Sequence, residues 1–140
     1  MSGAHDLERF VEAQGGGTYE RALAELTAGR KTSHWMWFVF PQVAGLGSSD
    51  MSVRYALSGI DEASAYWAHP VLGSRYEECC RALFDLGEVS MNGVLGSLDT
   101  QKLHSSLTLF SAAAPGTSAF ELLLARHFDG EPDPATTALI

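Results

Sequence analysis

Residues 33–42 read SHWMWFVFPQ, and the fold turns on how that stretch is read. Trp35, Met36, Trp37, Phe38, Val39 and Phe40 follow one another without a polar break, and side chains of that size and apolarity have to be buried. His34 opens the run; Pro41 and Gln42 close it. Over so few residues periodicity does not separate a short helix from a buried strand, and aromatic content by itself favours a strand. The neighbours decide the matter: no second convincing strand exists to pair with this one. The block is therefore read as a short helix, capped by Ser33 and ended by Pro41.

Working outward, the chain reads as helix after helix. Leu7, Phe10 and Val11 make the first turns, and Gly15-Gly16-Gly17 stops them. Thr18 suits an N-cap, Tyr19, Ala22, Leu23 and Leu26 follow at helical spacing, and Gly29 suits the stop. Beyond the aromatic block, residues 42–49 are a glycine-rich connection. Met51 to Leu57 reads as a helix, with Val53 and Leu57 four apart. Asp61 suits a cap for the next, which faces Ala63, Tyr66 and Trp67 inward and ends at His69-Pro70, because proline drives its predecessor out of helical geometry. Leu72 to Leu86 carries the clearest apolar stripe: Leu72, Tyr76, Cys79, Cys80, Leu83 and Leu86. After a small irregular unit at Ser90–Leu98, Asp99 reads as the cap of a helix on which Leu103, Leu107, Phe110 and Ala114 recur. Pro115-Gly116 breaks it, and Ser118 opens a last main helix with Phe120, Leu123 and Leu124 inside.

The expected fold is all-α: a single irregular multihelical domain over residues 1–130, without substantial sheet. Residues 131–140 are expected to form a turn-rich C-terminal tail, either mobile or lying against the surface. The helices are short and unequal, which argues against a regular four-helix bundle.

The totals agree with one domain. The chain has 140 residues, 46% of them hydrophobic and 19% charged, a globular composition. A net charge of −8 argues against a nucleic-acid partner, because a phosphate backbone calls for a basic face. No apolar run approaches the ~18 residues of a membrane span, and no secretion signal is expected, because the first residues show no basic start followed by an apolar block. The two cysteines are the neighbours Cys79 and Cys80, which suit buried thiols in a reducing compartment better than a disulfide. A cytoplasmic protein is expected. Neither a metal nor a cofactor is expected, since no Cys/His spacing for zinc is present. The oligomeric state is left open.

Several residues carry possible chemistry. His34, beside buried aromatics, suits a general base or a ligand contact; a helix-start residue bonded to backbone is the plainer reading. Gln42 can read donor and acceptor edges of a ligand, or satisfy loop backbone. Lys102 and Ser106 are four apart on one helix face, where a desolvated lysine can activate a serine, although most serines on helices bond to backbone or water. Asp99 reads more as a cap than as an acid. Arg30-Lys31 is either a small anion site or two solvated side chains. Gly45-Leu46-Gly47-Ser48-Ser49 is a turn first and an anion cradle second, since it lacks the P-loop spacing. Tyr66, Trp67 and His69 form a second aromatic cluster, which can sandwich a flat ring only if it meets the Trp35/Trp37 block.

The run from His34 to Gln42, together with Gly45-Leu46-Gly47, His69-Pro70 with Leu72-Gly73, and the Asp99-x-x-Lys102-Leu103-x-Ser105-Ser106-x-Thr108-Leu109-Phe110 pattern, resembles a mainly bacterial family of unknown function. The resemblance extends from Asp6-Leu7-x-Arg9-Phe10 to Phe128-Asp129. It implies an all-helical fold and no established reaction. Members have sometimes been labelled calpastatin-like, but such an inhibitor is disordered and poor in aromatics, and this chain is neither. The family motif falls on His34, Trp35, Trp37, Gln42, Asp99, Lys102, Ser105 and Ser106, which implies that the aromatic block meets the Asp99 helix. The expected function is binding of a small polar or anionic molecule in a pocket there. His34, Gln42, Lys102, Ser105 and Ser106 would supply polar contacts, and Trp35 or Trp37 a wall. The alternatives are a hydrolase with His34 as base for a water, and an interaction module without chemistry.

Overall fold

The structure, a computed structural model, describes residues 5–140. Met1–Ala4, the start of the expected domain, lie outside the described residues. The described residues form ten helices: α1 (Glu8–Ala13), α2 (Thr18–Ala28), α3 (Met36–Val39), α4 (Asp50–Arg54), α5 (Ile60–Ala68), α6 (Leu72–Asp85), α7 (Met91–Leu95), α8 (Ser97–Ala113), α9 (Ser118–His127) and α10 (Pro134–Thr137). Among them there is no strand; one isolated parallel bridge pairs Val43 with Leu57. The all-α reading holds, and the aromatic block is helical, though only over Met36–Val39.

Helix α8 runs through the middle, packed against α5, α7, α9 and α10. Every residue from Ser105 to Phe110 is buried, so that stretch has no solvent face, as expected of a helix surrounded on all sides. Helix α6 packs against α2, α5 and α9; of its expected stripe, Leu72, Tyr76, Cys79, Cys80 and Leu83 are buried, while Leu86, just past its end, is half-buried. Tyr76 is the hub of the core. Its ring stacks on Phe110 at 4.2 Å and meets Phe40, Tyr66, Trp67 and Phe120 edge-on, the arrangement that aromatic quadrupoles favour. The two aromatic clusters thus meet through Tyr76, and side chains fill the space between them.

Helices α5 and α6 cross at close range. A Cβ on Gly73 would stand 2.0 Å from the Trp67 carbonyl oxygen, so only glycine fits. His69 shapes the same corner, its Nδ1 accepting from the Val71 and Leu72 N–H groups at 3.1 and 3.2 Å. These two contacts give the His69-Pro70…Leu72-Gly73 motif a packing reason.

Several helix starts differ from expectation. Thr18 is the first residue of α2 rather than its cap, which is Gly17 with φ of 90°. Ser33 caps nothing; α3 begins later, and the Ser33 hydroxyl is drawn to Glu25. Asp61 lies inside the first turn of α5, whose cap is Gly59. Asp99 likewise lies in the first turn of α8, which starts at Ser97 after Gly96. The Met51–Leu57 helix ends at Arg54 because Leu57 pairs with extended backbone instead: its N–H donates to the Gln42 carbonyl and its own carbonyl accepts from Ala44. Side-chain caps do form at Ser49 and Ser90.

Near the C-terminus, α10 packs on α8. Thr136 is fully buried and its hydroxyl pairs with that of Ser105 at 2.7 Å. Asp133 is buried too, accepting from the Thr136 hydroxyl and N–H and from Gln101 Nε2.

Candidate functional site

Glu25, on α2, organises the approach to the aromatic block. Its carboxylate accepts five hydrogen bonds: from the N–H groups of Thr32 (2.8 Å) and Ser33 (3.0 Å), from the hydroxyls of Thr32 (2.9 Å) and Ser33 (2.7 Å), and from the Trp35 indole (2.9 Å). Burial alone would raise its pKa. The hydrogen bonds from Ser33, Thr32 and Trp35 outweigh burial and bring the carboxyl from an ordinary 4.5 down to about 2, because they stabilise only the charged form. The effect is to fold residues 31–35 back over α2 and α7, where the Lys31 N–H donates to the Val94 carbonyl at 2.8 Å.

That loop delivers Lys31 to α8. Its ammonium lies 2.7 Å from Asp99 Oδ2, with the lysine side chain 8% and the aspartate 17% exposed. Lys102, one turn along α8, reaches back to Asp99 Oδ1 at 3.5 Å and is 28% exposed, following the N-terminal tilt of helical side chains. Each ammonium also lies over an indole: Lys31 above Trp35 and Lys102 above Trp37, both at 5.1 Å, within cation–π range. The aromatic block and the Asp99 helix therefore do meet, through two lysines and one shared carboxylate.

The junction opens into a shallow depression of about 340 Å³, lined by Leu95, Gly96, Ser97, Leu98, Asp99 and Lys102. Gly96, with φ of 87°, turns the chain from α7 into α8 and offers no side chain as a cap, so the first N–H groups of this long helix face outward without an intrahelical acceptor. Leu98 stands on the rim, 79% exposed.

The structure sorts the expected site residues into two groups. Trp37, Asp99 and Lys102 come together, with Lys31 added. His34 is exposed on the Glu25-bound loop and makes no side-chain hydrogen bond to the described residues. Gln42 is half-buried, and its backbone carbonyl, not its amide, is the group engaged. Trp35 is buried and tied to Glu25. Ser105 and Ser106 are core residues. The Ser106 hydroxyl is 2.8 Å from that of Tyr76, a phenol whose pKa burial pushes well up and which therefore stays neutral. Ser106 is shut off from solvent, so it lines no cavity with His34, and its lysine neighbour faces Asp99 instead. Arg30 is exposed, apart from the Lys31 pair.

Sequence reasoning missed a second polar cluster. Buried Gln14 donates through Nε2 to the Phe38 carbonyl (2.7 Å) and the Tyr66 hydroxyl (3.1 Å), and accepts from Arg75 (3.1 Å). The Arg75 guanidinium also lies over the Tyr19 ring, and Tyr19 donates to Glu78. Next to it, burial pushes the Cys79 thiol up to about 12 and the Cys80 thiol well above its ordinary value, which leaves both neutral and unreactive at ordinary pH. Two larger grooves, of about 410 and 420 Å³, flank α6. Their rims carry Glu77, Glu78, Arg81 and Asp85, with Arg81 paired to Glu77, and none of the motif residues. Among the described residues, no three His, Cys, Asp or Glu side chains are grouped to hold a metal ion. No helix there is long and apolar enough to cross a membrane.

Residues 4–140 match the model of a family described as "Protein of unknown function (DUF1810)". The chain belongs to that family. It is also similar to a crystal structure of the conserved hypothetical protein Rv1873 from Mycobacterium tuberculosis, with 46% identity, 96% of each chain covered and a TM-score of 0.93. No curated protein matches the chain. Neither description names an activity, ligand or partner, so function has to be argued from the side chains.

Proposed function

We propose that the protein binds a small anionic molecule at the depression where α8 begins, with Lys102 as the principal contact and Trp37 as the adjoining wall. The observation that carries this reading is the convergence of two ammonium groups on a single carboxylate. One acidic side chain facing two lysines leaves a local excess of positive charge on a protein whose overall charge is −8. The open first turn of α8 adds outward N–H groups and the positive end of the helix dipole. A hydrolytic role for His34 has less support, because no group among the described residues orients the imidazole.

A thermal-shift series with phosphate, pyrophosphate and citrate tests the proposal. Binding raises the melting temperature with ligand concentration, by the equivalent of about 2.7 kcal/mol at a hundred times Kd. Lys102→Met keeps the alkyl stem over Trp37 and removes the charge, and it abolishes the shift. No shift with any of the three anions, or an equal shift in the variant, overturns the reading.

A further inference from the structure

The two lysines do not hold Asp99 in the same way. Lys31 makes a close contact at 2.7 Å, and its side chain is almost entirely covered. It is pinned further by its backbone bond to Val94 and by the Glu25-held loop around it. Removing its partner would strand a nearly buried ammonium, which is strongly unfavourable. Lys102 stands at 3.5 Å and is more than a quarter exposed, beyond the usual distance of a charge-assisted hydrogen bond. Exposed ion pairs of that kind hold weakly. Lys102 also borders the depression, whereas Lys31 does not.

We infer that Asp99 acts as an internal anion in the site, and that an oxyanion carrying two or more negative charges enters by taking Lys102 from it while Lys31 stays in place. The inference rests on the anion-binding reading above. It adds both a selectivity and a mechanism. A single carboxylate offers Lys102 nothing that Asp99 does not already supply from the same helix, and it meets the repulsion of Asp99 as well. A phosphoryl group or a polycarboxylate offers more charge and more acceptor oxygens, enough to compete. Asp99 thereby excludes singly charged acids and lets multiply charged ones in.

Isothermal titration of the full chain with pyrophosphate and with acetate, at matched ionic strength, tests this on the wild type and on Asp99→Asn. The substitution keeps the shape and removes the charge. Pyrophosphate is expected to bind the wild type and to bind Asp99→Asn at least about tenfold more tightly, since a like charge beside the ligand has been removed. Acetate is expected to bind only the variant. In NMR spectra of the wild-type lysine ammonium groups, pyrophosphate should shift the Lys102 signal and leave that of Lys31, a readout that does not depend on how well the variant folds. Equal or weaker pyrophosphate binding by a folded variant, or joint movement of both lysine signals, overturns the exchange while leaving anion binding intact. Absence of pyrophosphate binding in both proteins overturns the anion-binding reading, and the exchange with it.

Discussion

Glu25 lies outside every motif in the chain, yet its removal should unfold the approach to the candidate site. In Glu25→Ala the donors of Thr32 and Ser33 can turn to water, because those residues are exposed or half-buried. The Trp35 indole N–H cannot, because Trp35 is 1% exposed. An unsatisfied buried donor costs about 1–3 kcal/mol, and the lost charged hydrogen bonds bring the expected total to about 2–3 kcal/mol. Glu25→Gln retains an acceptor oxygen and should cost about 1 kcal/mol. Acid provides an independent check. The folded carboxyl has its pKa depressed to about 2 from 4.5, so its stabilisation is complete above the unfolded value. It is lost as pH falls through that window towards 2. The full shift would correspond to about 3 kcal/mol, which solvent screening of this partly exposed group reduces to about 1–2. Urea unfolding of the wild type and both variants at intervals from pH 6 to pH 2 measures this. The gap between wild type and Glu25→Gln should narrow as pH falls, while the Trp35 indole signal in NMR moves in the variants even at pH 6. A constant gap across the series, or a cost below about 0.5 kcal/mol for Glu25→Ala, refutes the reasoning.

Two further outcomes follow from the packing. Gly73→Ala places a methyl group 2.0 Å from a carbonyl oxygen, so α5 and α6 must separate; a loss of about 3 kcal/mol, at the upper end for overpacking, should be seen in denaturant unfolding, and a loss under about 1 kcal/mol would show that the crossing gives way easily. Ser106→Ala and Tyr76→Phe each strand one buried hydroxyl and should each cost about 1–3 kcal/mol, whereas the double variant should cost clearly less than their sum. Simple additivity would show that the two hydroxyls do not depend on each other.

Much of this protein was legible in its sequence, and the reasons are local. The SHWMWFVFPQ block had to be core, since nothing else in the chain could cover so much aromatic surface. The apolar stripe of α6 and the Leu103, Leu107 and Phe110 face of α8 followed from spacing alone, because a helix repeats its faces at fixed intervals whatever surrounds it. Helix starts were less legible. Asp99 and Ser33 are good caps by type, but other contacts claimed both side chains: two lysines in one case, Glu25 in the other. Glu25 itself sits between Leu23 and Leu26 and reads as a solvent-facing residue; nothing within four positions signals the loop that folds onto it. Gln14, next to a triple glycine, reads as the frayed end of a helix, yet it is the buried link between Phe38, Tyr66 and Arg75.

For the candidate site, sequence alone determined which residue types were available, and the family resemblance implied that the block meets the Asp99 helix. Tertiary structure decided which of them face solvent. Ser105, Ser106 and Lys102 lie on the same helix within five positions. The serines fall against Thr136 and Tyr76, and the lysine alone reaches the rim. Helical periodicity fixes the angle between side chains, but burial depends on what the other nine helices bring against each face, and those neighbours come from distant parts of the chain.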